Sequence, residues 1–85
     1  MTFEIILASQ PQKFLSTLKD KQLFFQIEDA FTSISLDPKK GKQLVGALKG
    51  LWSWRVSSYR ILYEIQEQKV IIYIFRISHR KKVYE

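Results

Sequence analysis

The sequence predicts an α+β fold, a two-layer sandwich ordered β-α-α-β-β-β, with a helical hairpin packed on one face of a mainly antiparallel four-stranded sheet. Three observations lead there. Apolar residues recur at three- and four-residue steps between Leu23 and Ile34, the spacing of a helix face. From Trp52 onward the apolar period changes to two, the spacing of a strand. The chain has 85 residues, so residues 1–85 are expected to form one domain, since domains typically run ~50–250 residues.

Each element has its own signal. Thr2 to Leu7 is short, β-branched and aromatic, a strand composition. Ser9 reads as the N-cap of a first helix, with Pro11 in its first turn and Gln12 in the capping-box position. Phe14, Leu15 and Leu18 follow at helical spacing. Lys19-Asp20-Lys21 is a polar break, and Asp20 can cap the second helix. Leu23, Phe24, Ile27, Ala30, Phe31 and Ile34 give that helix its apolar stripe over about four turns. Asp37-Pro38 ends it, because the residue before proline is pushed out of helical geometry. Residues 38–50 hold all three glycines and four lysines and read as a loop. Trp52 to Val56 and Tyr59 to Ile65 alternate as two strands around Ser57-Ser58. Gln66 to Gln68 turn the chain. Lys69 to Ile77 is apolar almost throughout, as a central strand covered on both faces would be.

Composition removes several functions. There is no cysteine and one histidine, so thiolate zinc sites, disulfides and histidine-cluster metal centres are excluded. No cofactor motif is legible. The N-terminus lacks the basic start of a signal peptide. The longest apolar run, Val70 to Phe75, falls far short of the ~18 residues a membrane span needs. A cytoplasmic domain without membrane contact is expected.

Charge is uneven. Residues 1–37 carry three lysines against five acids, a net −2, whereas residues 38–85 carry eleven Lys and Arg against three acids, a net +8. A basic half on a folded domain suits a polyanion such as RNA or DNA. Lys39, Lys40, Lys42 and Lys49 could touch phosphates from the loop. Equally, they could belong to a solvated surface.

The two-residue hairpin sharpens this. If Ser57 and Ser58 are the loop, Val56 pairs with Tyr59 and Arg55 sits opposite Arg60. Like charges directly opposite destabilise a sheet unless an anion lies between them. Guanidinium groups bind phosphate bidentately and keep their charge. The alternatives are that both splay into solvent or pair with Glu64 and Glu67. The tail adds His79, Arg80, Lys81, Lys82 and Tyr84. Histidine exchanges protons near neutral pH, and neighbouring cations favour the phenolate of a tyrosine. Such a set suffices for metal-free RNA cleavage, with the ribose 2′-hydroxyl as nucleophile and arginines holding the phosphate. The tail could also be a solvated, frayed terminus.

LKGLWSWRVSSYRILYEI followed by KVIIYIFRISHRKKVY resembles the RelE/ParE superfamily of bacterial type II toxins, over nearly the whole chain. The resemblance to its RelE-like branch implies an mRNA interferase that cleaves messenger RNA on the 70S ribosome without a metal or other cofactor. It also implies a cognate antitoxin from an adjacent gene, with DNA contacted only through the toxin–antitoxin complex. By this resemblance Arg60 is a phosphate binder, Arg80 a transition-state stabiliser, and Tyr84 the base or a stacking partner. Arg55 stands where the family often has a basic residue, and the role of the histidine at His79 varies. Ser53 departs from the pattern, standing where RelE has a lysine. If that lysine is the base, Tyr84 or His79 must substitute. The ParE-like branch implies instead inhibition of DNA gyrase by protein binding. A non-catalytic member would act only in an operon-repressor complex.

Overall fold

The computed structural model describes residues 2–80. Its elements are β1 (Glu4–Leu7), α1 (Ser9–Thr17), α2 (Lys21–Leu36), β2 (Lys42–Gln43), β3 (Trp52–Val56), β4 (Tyr59–Gln66) and β5 (Ile71–His79), with 3₁₀ turns at Pro38–Lys40, Gly46–Leu48 and Glu67–Lys69. The sheet has five strands in the order β1-β5-β4-β3-β2, one more than expected. The extra strand is β2, two exposed residues inside the segment expected to be loop. Lys42 and Gln43 have no strand pattern of their own and extend only because they pair with Ser53 and Trp52. All pairings are antiparallel except β1 with β5.

Both helices cover the same face. Leu23, Ile27, Ala30 and Ile34 of α2 are buried against Val56, Ile61, Tyr63, Ile72, Ile74 and Ile77 of the sheet. Each fully buried isoleucine stabilises by about 1.5–3 kcal/mol relative to exposure. Phe14 and Leu15 of α1, and Leu18 just after it, pack at the margin. Asp20 caps α2 as its position suggests, its carboxylate accepting from the Leu23 N–H at 3.1 Å. The N-terminus of α1 differs from expectation. Ser9 is the first helical residue, and the cap is Ala8, which makes no side-chain bond. Gln12 closes that end differently, its amide donating to the Leu7 carbonyl at 2.9 Å.

Two further details decide where side chains point. The β3–β4 hairpin has the expected register, with Val56 opposite Tyr59, Trp54 opposite Ile61 and Arg55 opposite Arg60. Ser57 enters the left-handed region at φ 54° to make the turn. Strand β5 is not covered on both faces. A β-bulge shifts the β4–β5 register between Leu62 and Tyr63, so that Leu62 faces Arg76 while Tyr63 faces Ile74. Phe75 is left without an opposite residue. Ile74 and Ile77 are both fully buried, so the two residues between them turn outward together. Beyond the end of β1, Gln10 takes over as the neighbour of β5. Its amide donates to the Ile77 carbonyl at 2.7 Å and accepts from the Ile77 N–H at 2.8 Å.

Candidate functional site

The face of the sheet away from the helices collects cations. Arg55 and Arg60 share it by register. Lys42 joins them, because it pairs with Ser53 two residues from Arg55 on the same side. Lys40, Gly41, Lys42, Ser53, Arg55 and Arg60 line one open cavity of about 350 Å³. Four positive side chains from three segments therefore surround a space large enough for a phosphate and part of its nucleotide.

The loop carrying Lys40 is held from below. Tyr63 is fully buried, and its hydroxyl donates to the Pro38 carbonyl at 2.7 Å. Burial, and after it the charge of Asp37, push this phenol far above the ordinary tyrosine value. Tyr63 is thus a fixed donor and not a proton-exchanging group of the site. Gly41 slides over it, with no room there for a Cβ. The Glu67 carboxylate meets Lys39 at 3.0 Å on the surface, and Glu64 accepts from the Gln66 amide at 2.9 Å. Ser78, opposite Arg60, has a buried hydroxyl with no hydrogen-bond partner. Among the described residues, no three His, Cys, Asp or Glu side chains gather where they could hold a metal ion.

The other expected site residues are dispersed. Lys39 turns to Glu67. Lys49 follows the Gly46–Leu48 turn, bonded through its N–H to the Gly46 carbonyl at 3.1 Å, and lines no part of the cavity. Arg80 lies beside the hairpin tip, its backbone N–H donating to the Ser58 carbonyl at 2.8 Å. His79 is opposite Tyr59, and their rings meet edge-on at 5.4 Å between centroids. Tyr59 in turn contacts Phe14 of α1 at 5.6 Å. His79 is therefore on the helix side, across the sheet from the arginine pair. Lys81, Lys82 and Tyr84 lie outside the described residues. Arg76 was not anticipated. Its signal was the three-residue step from Ile74 to Ile77, which strict alternation cannot supply.

Among the described residues, no helix is long and apolar enough to cross a membrane. Residues 6–84 match the family model described as ParE toxin of the type II toxin–antitoxin system, parDE. The chain is 31% identical to Toxin RelG of Mycobacterium tuberculosis over 85 residues, covering 99% of this chain and 98% of that protein. In structure it is similar to a chain of the M. tuberculosis toxin–antitoxin complex RelBE2, with a TM-score of 0.81, 30% identity, and coverage of 94% of this chain and 100% of that one. It is also similar in fold to a variant of E. coli toxin RelE in the free state, with a TM-score of 0.78, 14% identity, and coverage of 98% and 88%.

Proposed function

The chain belongs to the ParE toxin family of type II toxin–antitoxin systems, within the RelE/ParE superfamily, and from that premise we propose that it is a metal-independent endoribonuclease that cleaves messenger RNA on the 70S ribosome. The observation that carries this reading is the cavity where Arg55 and Arg60 face each other across two strands, with Lys40 and Lys42 at its side. Guanidinium groups bind phosphate bidentately and keep their charge, and four cations converge on this one space.

In the proposed reaction the ribose 2′-oxygen attacks the adjacent phosphorus. The new O–P bond forms as the bond to the 5′-oxygen breaks. A base removes the 2′-proton and an acid protonates the leaving oxygen, giving a 2′,3′-cyclic phosphate and a 5′-hydroxyl. Arg55 and Arg60 hold the charge that develops on the phosphate, and Arg80, outside the cavity lining beside the hairpin tip, is assigned a supporting part by the family resemblance alone. The ring contact of His79 with Tyr59 argues against His79 and favours Tyr84 for the proton transfer. The RelBE2 complex pairs its toxin with an antitoxin. We assign this chain a cognate antitoxin as well, encoded by an adjacent gene and masking the basic face, with DNA reached only through that complex.

The test is induction in cells with mapping of messenger RNA ends, beside Arg60→Ala and Arg80→Ala variants checked for folding by circular dichroism. Removing one such donor typically costs about 10²–10³ in rate, so both variants should lose toxicity. Cleavage should persist in EDTA and leave cyclic or 3′-phosphate ends. Folded Arg60→Ala and Arg80→Ala proteins that still arrest growth would remove the nuclease reading. Arrest of DNA replication before translation would replace it with gyrase inhibition.

A further inference from the structure

The β5 bulge places an arginine and an aromatic ring side by side on the face of the sheet away from the helices, next to the proposed reaction site. Alternation from Ile72 and Ile74 would carry Arg76 toward the helices and turn Ile77 outward. The bulge reverses this: Ile77 is fully buried and Phe75 is 48% exposed, with Arg76 exposed beside it. Bulges are over-represented near active sites, where they re-aim a side chain. Gln10 pins this one through both of its bonds to Ile77. Arg76 forms no ion pair among the described residues.

The registers locate the pair. Arg55, Arg60 and Ser78 form one cross-strand row, and Ser53, Leu62 and Arg76 form the adjacent one. Arg76 is thus diagonal to Arg60, with side-chain origins about 7–8 Å apart. It stands two strands from Ser53, in the row that lacks a cation on β3. We propose that Phe75 and Arg76 form a nucleotide subsite for single-stranded RNA beside the Arg55–Arg60 pair. Arg76 holds a phosphate neighbouring the one that reacts, and Phe75 carries an unstacked base on its ring. The subsite rests on the nuclease reading above and adds to it a hold on the substrate outside the reacting bond.

The experiment measures binding of a single-stranded RNA bearing 2′-O-methyl groups, which cannot be cleaved, across a salt series. Phe75→Leu should weaken binding within about 5- to 160-fold, the range for one base–aromatic stack. Arg76→Gln should flatten the logarithmic salt dependence by about 0.7, the value for one lost phosphate contact on a single strand. Lys13→Gln, on the exposed side of α1, serves as the control for overall charge and should leave that slope nearly unchanged. Single-turnover cleavage at saturating RNA should survive in both subsite variants, since neither residue touches the reacting atoms. If wild type cleaves RNA while both variants bind it as wild type does, the subsite is wrong and the nuclease reading stands. If the variants keep RNA affinity and instead lose the antitoxin, the face docks protein and the subsite is equally wrong. If wild type cleaves no RNA, free or on a programmed 70S ribosome, the nuclease reading fails and the subsite with it; if it cleaves on the ribosome but does not bind the single strand, the subsite is wrong and the nuclease reading stands.

Discussion

Gly41→Ala should destabilise the fold by about 2–4 kcal/mol, of which about 1–3 comes from overpacking and the rest from a disturbed buried hydrogen bond. Backbone conformation is not the reason, because Gly41 has φ −71°. Space is. An added Cβ would overlap the Tyr63 hydroxyl and come within 3.0 Å of the Ser53 carbonyl oxygen and 3.2 Å of Tyr63 Cζ. Tyr63 cannot retreat, since it is paired with Trp52 on one side and Ile74 on the other. The loop must lift, and the bond from Tyr63 to Pro38 is strained or lost with it. Tyr63→Phe alone removes that bond and should cost about 1–2 kcal/mol. The double variant is the informative one. Phenylalanine lacks the atom that the new methyl overlaps, so the remaining contacts, the Ser53 carbonyl oxygen at 3.0 Å and Cζ at 3.2 Å, are relieved by a shift of a few tenths of an ångström. Gly41→Ala with Tyr63→Phe should then cost little more than Tyr63→Phe by itself. Urea denaturation followed by circular dichroism measures all four proteins, with unchanged m-values confirming comparable unfolding. Strictly additive losses would refute this account of why a glycine stands at position 41.

Three other outcomes are expected. The Tyr63 phenol is raised by burial, so its contribution to stability is complete below the ordinary tyrosine value near 10 and is lost as pH climbs beyond it. Alkaline unfolding should accordingly be shallower in Tyr63→Phe, and equal slopes would refute the coupling. Ser57→Gly should stabilise the hairpin by about 1 kcal/mol, because glycine accepts a positive φ without a Cβ penalty; a lower Tm would contradict it. Gln10→Ala should leave both backbone groups of Ile77 without their partner and accelerate exchange of its amide hydrogen, with a stability loss of about 1–3 kcal/mol. Unchanged protection at Ile77 would mean that the Gln10 bridge does not form in solution.

What was legible in the sequence had short-range causes. The stripe from Leu23 to Ile34, the Asp20 cap and the Asp37-Pro38 stop define α2 from within. The two-residue loop at Ser57-Ser58 sets the β3–β4 register, and with it the arginine pair. What was missed depends on partners far along the chain. Lys42 and Gln43 are a strand only because β3 is beside them. The capping-box reading at Ser9 competed with a helix that starts one residue sooner. Alternation in β5 was masked because both of its faces carry apolar residues, Tyr73 and Phe75 among them. Without the bulge there was no way to see that Arg76 faces the cation cluster and His79 faces α1. Gln10 bonds a residue 67 positions away, and local patterning cannot reveal such a contact.

The position of β5 in the sheet has a consequence for how the protein comes into being. Among the described strands it is the last to be synthesised, yet it lies between β1 and β4 and joins the two. Until residues 71–79 leave the ribosome, β1 has no partner and β4 lacks one of its two neighbours. Ile72, Ile74 and Ile77, all fully buried in the finished fold, are missing from the core that α2 must cover. Pairing the N-terminal strand with this late one also closes a long loop, an entropic cost that slows folding. The part of the arginine face that β5 contributes, Arg76 and Ser78, is therefore absent until β5 pairs with β4.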